Sequence, residues 1–522
     1  MIPVIDLFAG PGGLGEGFSS ILDEDGKPVF QIILSVERDV QAHKTLRLRS
    51  YLRKILREDG TVPRAYIRYM QDGSVENRLA LESYRPELWE EACKEAVCAE
   101  LKDGDDTLVK EGKKRLRKIM PSGDMPWVLI GGPPCQAYSL AGRSRRAHDA
   151  TLEDDEKQTL YKCYLAFIKE LKPTAFVMEN VKGLLSARRK GEGVFDRIVA
   201  DMREAGYEVR SLVKKDAQNP RDYIVRAERY GVPQKRHRVI LLGVRKGCKA
   251  TSDVLVPRRQ RTVRDVFVGI PKVRSRFSRR NKGLSDSDWN AYLSGAIDRI
   301  LETDEGKKLE SVLHAVKVGS HPKVTHKEQV TGEKGPYEAW YRKRLGKHPV
   351  LTNHESRSHL AKDLDRYVFC SAFAEENGVP ARIRDFPLSL YPDHRNLQNV
   401  EAGQTIKFND RFRTQIWDSP STTITSHISK DGHYYIHPDP SQCRSLTVRE
   451  AARLQTFPDD YLFMGNRTSQ YTQVGNAVPP LLAQQIALVV AHFLGEKAYG
   501  FSDSLSAEPS EPCVDDKDIR LF

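Results

Sequence analysis

Five short, strongly apolar runs, each followed by turn-forming residues, constrain the fold of this chain more than any other feature. They cover residues 2–8, 31–39, 127–132, 174–181 and 238–244. Runs of this length that are rich in Val, Ile and Phe are typical of buried strands. Helical spacing recurs between them. This alternation predicts an α/β fold built on a doubly wound, largely parallel sheet.

Changes in texture along the chain predict more than one domain. A chain of 522 residues exceeds what one hydrophobic core usually organises. A polar stretch rich in Arg, Lys and Glu, at about 42–122, delays the third strand. Regular patterning returns in LTVREAARLQTF, where Thr447 and Glu450 predict a capped helix. We predict a catalytic domain, an inserted smaller domain, a return to the catalytic domain and a flexible acidic tail, at residues 1–256, 257–440, 441–497 and 498–522.

Charge and cysteine content narrow the class of protein. The net charge of +12 and pI near 9.1 favour a polyanionic partner, although a merely soluble basic protein would have the same values. Eight cysteines without a C-x-x-C pair predict reduced thiols in a cytoplasmic protein and no metal site. The N-terminus lacks the pattern of a signal peptide, and the longest apolar run, 486–494, is too short to cross a membrane.

A glycine-rich turn, AGPGGLGEGF, follows the first apolar run. Glycine removes the Cβ that would keep backbone N–H groups away from a ligand, so the turn could hold a nucleotide-like molecule. The turn does not match G-x-G-x-x-G, which weakens a dinucleotide interpretation. Glu37 ends the second run, where a carboxylate can accept hydrogen bonds from ribose hydroxyls. An ordinary tight turn and a solvated acid are the alternatives.

The stretch GGPPCQAYS places Cys135 at the carboxyl end of the third strand, the edge where open α/β sheets bind ligands. Pro133 and Pro134 fix their own φ angles and stiffen the approach to the thiol. A buried structural cysteine is the commoner case. The turn-like neighbours favour a presented nucleophile, whose pKa nearby positive charge would have to lower.

Two later stretches could complete a site. MENV places Glu179 at the end of the fourth strand, on the same ligand edge. In QKRHR, Gln234, Arg236 and Arg238 occupy alternate positions and would share one face in extended conformation. Two guanidinium groups and an amide suit phosphates or base edges. A solvated strand end would look the same.

Six stretches in this order closely resemble the best-defined motifs of the cytosine-C5 DNA methyltransferases. They are DLFAGPGG, GGPPCQAYS, MENV, QKRHR, LTVREAARLQTFPDDY and QVGNAVPP. The resemblance covers about residues 1–250 and 440–495. It implies a Rossmann-like S-adenosylmethionine-dependent methyltransferase sheet, with a smaller, β-rich target-recognition domain inserted before the last two motifs.

The resemblance also implies roles for individual residues. Cys135 matches the nucleophile that adds to C6 of the cytosine ring. Glu179 matches the glutamate that contacts N3 and the exocyclic amine. Arg238 resembles the arginine beside the target base, with Gln234 and Arg236 supporting either the pocket or the DNA.

On the cofactor side, the residues that match the loop around S-adenosylmethionine are Phe8, Ala9, Gly10, Pro11, Gly12, Gly13 and Leu14. Glu37 matches the ribose ligand. Asn476 and Val478 match a closing motif that folds back beside the first loop. The carboxylate that contacts the adenine amine is left open among Asp72, Asp103, Asp105, Asp106 and Asp124.

Chemistry on C6 of a paired cytosine requires the base to be flipped out of the duplex. The basic segment 257–440 is the expected source of contacts to double-stranded DNA. We expect a monomer on DNA and, as partner, a restriction endonuclease acting on the same site. The long basic insert argues against methylation of transfer RNA. The presence of Cys135 and Glu179 argues against a DNA-binding protein that has lost catalysis. The chain lacks the glycine fingerprint of a nicotinamide-dependent oxidoreductase.

Overall fold

The computed structural model describes residues 1–123, 125–134, 160–189, 192–248, 253–281, 283–319, 321, 330, 332–392 and 410–506. The strands of these residues, β1 to β12 in chain order, are Ile2–Leu7, Phe30–Glu37, Ala96–Cys98, Val128–Gly131, Ala175–Val181, Arg188–Arg189, Glu192–Gly193, Tyr207–Ser211, Ile224–Arg226, His237–Arg245, Arg276–Phe277 and Ser358–His359.

Eight of these strands form one sheet in the order β3-β2-β1-β4-β5-β10-β8, with β9 also paired to β10. Strands β1 to β5 are parallel to one another. Strand β10 runs antiparallel to β5, β8 and β9. All five strands expected from the sequence are present, and the predicted Rossmann-like sheet is confirmed.

The chain moves outward in opposite directions from β1 and from β4, which are neighbours in the sheet. The loops that follow these two strands therefore diverge and leave a crevice at the carboxyl edge. The glycine-rich turn begins one side of this crevice and the GGPP stretch begins the other.

The helices of the described residues are numbered α1 to α17 in chain order. They are Gly13–Ser19, Val40–Asp59, Arg64–Gln71, Val75–Glu82, Pro86–Glu95, Thr107–Ile119, Leu160–Leu171, Val194–Glu204, Val263–Phe267, Trp289–Leu301, Asp304–Lys307, Glu310–His314, Glu338–Arg342, Ala361–Asn377, Val448–Leu454, Arg467–Asn476 and Pro480–Phe493.

Helices cover both faces of the sheet. One apolar cluster joins α6, α7 and α8 to one face, and a second joins α1 and α17 to the other. Helices α1 and α17 approach so closely that a Cβ built on Gly17 would lie 2.3 Å from the Cβ of Ala483 and 2.5 Å from the Gln484 nitrogen. Because the obstacle is helix backbone, only glycine fits at this position.

Gly17→Ala is expected to lower the free energy of unfolding by about 1–3 kcal/mol, because α17 must shift to admit the methyl group. Gly73→Ala is the matched control, since a Cβ there meets no atom within 4 Å. Urea unfolding of both variants measures the difference. Equal stability of the two variants would contradict the close packing of α1 on α17.

The polar stretch at 42–122 takes part in the sheet and in the core, which its composition did not indicate. It contains α3 to α6, most of α2, and edge strand β3, which pairs with β2. Buried Tyr51, Leu52 and Tyr66 form an apolar cluster that also includes Leu345 and Val350 of the 257–440 segment. The stretch therefore packs against the segment expected to recognise DNA.

The predicted β-rich character of segment 257–440 is wrong for its described residues. These contain helices α9 to α14 and only two strands, β11 and β12, of two residues each. The Thr- and Ser-rich stretch 421–429 makes an isolated bridge between Gln234 and Ser421 and then a short 3-10 helix, Ser426–Ser429. Beyond that bridge its β-branched residues form no strand in the part of the chain that the structure describes, so β propensity is overridden here.

The end of the chain differs in part from the prediction. Thr447 and Glu450 form the expected capping box at the start of α15. By length and composition, residues 467–493 could cross a membrane, but 94% of their most apolar window is buried inside the protein. Residues 498–506 of the predicted tail pack on the core: Phe501 contacts Trp340, and Ser502 is fully buried. The domain boundaries themselves stay a prediction.

Candidate active site

The glycine-rich turn after β1 has a backbone that few residues can adopt. Gly10 and Gly12 have φ angles of 58° and 99°, and Phe8 has a φ of 55°. A positive φ at Phe8 is strained for a residue with a Cβ, and such strain is concentrated at functional sites. A Cβ on Gly10 would meet no atom within 4 Å. The turn therefore leaves open space at Gly10, on the carboxyl edge of the sheet.

The closing motif lies directly against this turn. Helix α16 ends at Asn476, whose side chain is exposed, and Val478 follows in the connection to α17. A Cβ on Gly13 would lie 2.2 Å from the Val478 carbonyl oxygen. The structure thus brings Val478 and the glycine turn together, as the resemblance implied.

Glu37 stands beside the turn at the end of β2. Its Oε2 accepts a hydrogen bond from the Gly10 N–H at 2.8 Å, and its Oε1 accepts one from the Asp39 N–H at 2.7 Å. Burial raises the pKa of Glu37 above its ordinary value. The two backbone donors fix the carboxylate at the end of β2, at the edge of the crevice; its role as a ribose ligand stays a prediction.

The candidates for the adenine-contacting carboxylate separate by position. Asp103, Asp105 and Asp106 lie in the loop after β3, whose Cys98 is paired with Glu37. Asp72 caps the end of α3 and accepts a hydrogen bond from Asn77. Asp124 lies outside the described residues. Of the candidates, the three aspartates in the loop after β3 therefore follow the strand that pairs with Glu37.

The other side of the crevice carries the catalytic candidates, although Cys135 lies outside the described residues. The Pro133 carbonyl, two residues before it, accepts a hydrogen bond from Asn180 Nδ2 at 3.2 Å. A Cβ on Gly132 would lie 3.1 Å from Glu179 Oε2. The MENV and GGPP stretches are thus in contact. Asn180 is a site residue that the sequence interpretation missed; only its place next to Glu179 signalled it.

Glu179 and Arg238 form an ion pair across the antiparallel strands β5 and β10. Arg238 Nε lies 2.9 Å from Glu179 Oε1, and the two side chains are 16% and 13% exposed. Ile240, two residues beyond Arg238, is the residue opposite Glu179. Side chains two apart on a strand share a face, so Arg238 reaches diagonally to the carboxylate. The pair leaves a partly exposed carboxylate and guanidinium beside the GGPP stretch.

Gln234 and Arg236 do not share the exposure of Arg238. Gln234 is fully buried; its Nε2 donates to the Leu454 carbonyl and its Oε1 accepts from the Ile424 N–H. Arg236, 2% exposed, donates to the carbonyls of Ile424 and Gly475. Burial and the neighbouring Arg238 charge lower the pKa of Arg236 to about 9.

Gln234 and Arg236 are thus separated from Arg238 by their burial, although the three alternate along the chain. Both side chains direct donors to backbone carbonyls of the chain itself, which excludes them from solvent and from a phosphate. Of the two roles left open for them, the structure supports the pocket-supporting one. Only Arg238 of the three lies beside Glu179.

Asp6, beneath the glycine turn on β1, is a second residue that the sequence interpretation missed. It is fully buried, and neither carboxylate oxygen accepts a hydrogen bond of normal geometry from the described residues. Burial raises its pKa from 3.8 to about 8, although the Arg53 charge opposes the rise. The folded protein therefore holds this proton more tightly than the unfolded chain does.

Asp6→Asn is expected to gain stability relative to the parent as pH rises from about 4 to about 8. In this window the unfolded chain has released the Asp6 proton and the folded protein has not. The free energy of unfolding of the parent therefore falls by at most about 1.4 kcal/mol per pH unit from this group. The asparagine side chain of the variant does not titrate. Urea unfolding at pH 5.5, 6.5 and 7.5 measures the difference; a constant difference would contradict the raised pKa.

The crevice at the switch point thus has a fixed carboxylate, Glu37, on one side and the Glu179–Arg238 ion pair on the other, and such crevices are where open α/β sheets bind ligands. The family model for C-5 cytosine-specific DNA methylases matches residues 87–492. This match spans more than half of the chain. The chain therefore belongs to the C-5 cytosine-specific DNA methylases, enzymes that methylate C5 of cytosine in DNA.

Individual relatives agree with this assignment. Type II methyltransferase M.Bpa9945I of Bacillus paralicheniformis is 33% identical over 93% of this chain and 98% of its own length. Type II methyltransferase M.DdeI of Desulfomicrobium norvegicum is 26% identical over 93% of this chain and 87% of its own. The fold, but not the family assignment, is also supported by a crystal structure of a prophage-encoded DNA modification methyltransferase (E. coli), which superposes with a TM-score of 0.52 at 20% identity over 95% of this chain and all of that one.

Proposed function

We propose that this enzyme uses S-adenosylmethionine to methylate a cytosine within one short sequence of double-stranded DNA, as the modification partner of a restriction endonuclease. The observation that carries the proposal is the Glu179–Arg238 pair, joined through Asn180 to the loop that leads to Cys135. Its relatives are named as type II methyltransferases, which supports the restriction-modification setting.

The residues at the glycine turn fit the proposed cofactor. Glu37 offers a fixed carboxylate to the ribose, and the open space at Gly10 lets a ligand approach the backbone. Phe8, Ala9, Pro11 and Leu14 would complete the contact, with Asn476 and Val478 closing it. S-adenosylmethionine supplies an electrophilic methyl carbon to such a site.

The remaining chemistry belongs to the chain. The Cys135 thiolate forms a bond to C6 of the flipped cytosine, and the ring electrons move toward N3 and C5. Glu179 in its protonated form donates a hydrogen bond or its proton to N3, and so stabilises the negative charge that develops there. Arg238 holds the Glu179 carboxylate in place at 2.9 Å. After methylation a base from the solvent takes the C5 proton; the electrons of the C5–H bond form the C5–C6 double bond and expel the Cys135 sulfur as thiolate.

The proposed partners follow from the same scheme. Basic residues of segment 257–440 contact the phosphates and offset the cost of base flipping. We propose that the enzyme acts as a monomer on DNA in the cytoplasm, where the nucleoid is accessible to it. The companion endonuclease is expected to cleave the same sequence when it is unmethylated.

Methyl transfer from radiolabelled S-adenosylmethionine to genomic DNA, transfer RNA and total protein tests the proposal, with bisulfite sequencing of the labelled nucleic acid. Label confined to cytosines of one short DNA sequence is the expected result and identifies that sequence. Label in transfer RNA, or none at all, would contradict it.

A second measurement tests the covalent step. In a duplex that carries 5-fluorocytosine at the target position, the leaving proton is replaced by fluorine, so the adduct cannot be resolved. A complex that survives denaturation, with the DNA mapped to Cys135 by mass spectrometry, is expected.

A further inference from the structure

Four charged side chains, three of them buried and one partly exposed, lie together beneath the glycine turn, and we call them the charge cluster: Glu16, Arg49, Arg344 and Asp460. Arg49 donates to both oxygens of Glu16, at 2.7 and 2.5 Å, and to Asp460 Oδ2 at 3.0 Å. Arg344 lies 2.9 Å from Glu16 and 3.5 Å from Asp460. Glu16, Arg49 and Asp460 are almost completely buried, and Arg344 is 28% exposed.

The charge cluster is bonded directly to the turn. Glu16 lies in the first turn of α1, and its backbone N–H donates to the Gly12 carbonyl at 2.8 Å. A displacement of Glu16 therefore displaces Gly12. Although burial alone would raise the pKa of Glu16, the Arg49 and Arg344 charges hold it well below its usual range. The ionised carboxylate is thus held between two guanidinium groups.

Tyr461 fixes the turn at a second point. Its hydroxyl donates to the Pro11 carbonyl, and a Cβ on Gly12 would lie 3.0 Å from that hydroxyl oxygen. The Arg49 guanidinium lies 4.7 Å from the centre of the Tyr461 ring. Tyr461 follows Asp460 in the chain. Two consecutive residues are therefore linked to the turn, Tyr461 directly through Pro11 and Asp460 through Arg49 and Glu16.

The cluster joins parts of the chain that have separate tasks. Arg49 comes from α2, Asp460 and Tyr461 from the return segment, and Arg344 from segment 257–440. Arg344 adjoins the apolar contacts that Leu345 and Val350 make with α2 to α5. The DNA-recognition segment therefore reaches the cofactor turn through one side chain.

We infer that Tyr461 and Arg344 are positioning residues that hold the glycine turn in its cofactor-binding conformation, with Arg344 doing so from the DNA-recognition segment. The inference rests on the proposed S-adenosylmethionine site and assigns the side chains that shape it. Neither residue has to touch the cofactor, because each acts through the turn or through Glu16.

Tyr461→Phe removes the hydroxyl and leaves the ring in place. Loss of this hydrogen bond is expected to weaken the binding of S-adenosylhomocysteine about 3- to 10-fold. The KM for S-adenosylmethionine should rise by a similar factor, while the KM for DNA and the kcat at saturating cofactor stay at the parental values. Arg344→Gln is expected to act in the same direction.

Two matched controls separate positioning from general stability. Tyr471→Phe removes a hydroxyl from an equally buried ring, whose donation goes to the Leu446 carbonyl at 2.6 Å, away from the turn. Arg264→Gln removes an exposed ion pair with Asp418 in the same recognition segment. Both controls are expected to bind S-adenosylhomocysteine as the parent does.

Isothermal titration of the full chain with S-adenosylhomocysteine, with melting temperatures measured alongside, decides the matter. Weaker binding by Tyr461→Phe and Arg344→Gln, but not by their controls, supports the inference. Parental affinity in Tyr461→Phe, or an equal loss in Tyr471→Phe, overturns it while the proposed function stands. Failure of the parent itself to bind would instead overturn the proposed cofactor.

Discussion

Glu179→Gln is expected to lower kcat by about 10²- to 10⁴-fold, the range that a positioned proton donor or acceptor contributes. Glutamine keeps the shape of the side chain but neither carries a negative charge nor exchanges a proton with N3. Arg238 would lose its ionic partner at 2.9 Å and would no longer be held beside the GGPP stretch. Because the two side chains are partly exposed, the change removes chemistry more than it removes stability.

Glu228→Gln is the matched control for this result. Glu228 accepts a hydrogen bond at 2.7 Å from His237, the residue before Arg238. Glu228 itself lies outside the candidate site. Single-turnover methylation with saturating cofactor and DNA compares the two variants, and fluorescence anisotropy checks that both bind DNA. A Glu179→Gln enzyme that reacts as fast as Glu228→Gln would remove Glu179 from the mechanism.

The sequence predicted the elements whose signals are local. Each of the five apolar runs became a strand of the main sheet, and the Thr447 capping box begins a helix. Side-chain periodicity and capping act over a few residues, so they are visible without knowledge of the partner. Strand β3, Ala96–Cys98, was missed because its three residues are extended only through pairing with the edge of β2.

The candidate site divides in the same way. Glu37 and Glu179 were placed correctly at strand ends, because the carboxyl edge follows from the order of the elements. The burial of Gln234 and Arg236 could not be predicted, because it depends on Ile424 and Leu454, which lie about 190 and 220 residues beyond Gln234 in the chain. An alternating pattern predicts that side chains share a face. It does not predict what covers that face.

Arg49 shows the strongest case of this limit. Helix α2 carries charged residues along most of its length, so its sequence predicts a solvated helix. Arg49 is nevertheless 2% exposed, with partners 33 and 411 residues away in the chain. Burial of a guanidinium is tolerated only when opposite charges and hydrogen bonds surround it. Sequence spacing gives no sign of such partners.

Arg49→Met is expected to lower the free energy of unfolding by about 3–5 kcal/mol, because among the described residues it leaves buried Glu16 and Asp460 with the partly exposed Arg344 as their one direct ion-pair partner. Methionine preserves most of the buried volume, so the loss reports the charges rather than a cavity. Adding Glu16→Gln and Asp460→Asn to the same chain should recover part of the stability, since those two groups then need no cation. Urea unfolding of the single and triple variants measures both steps.

The control for this result is Arg85→Met, which also removes several ion pairs. Arg85 pairs with Glu58, Asp59 and Glu87, but its side chain is 30% exposed, so water can replace the lost contacts. The free energy of unfolding of Arg85→Met should change far less than that of Arg49→Met. Equal losses in the two variants would mean that burial adds nothing to the worth of these pairs. A greater loss in Arg49→Met would show that the buried pairs of the charge cluster, which join the glycine turn to α2 and to Asp460, contribute more to stability than the exposed pairs do.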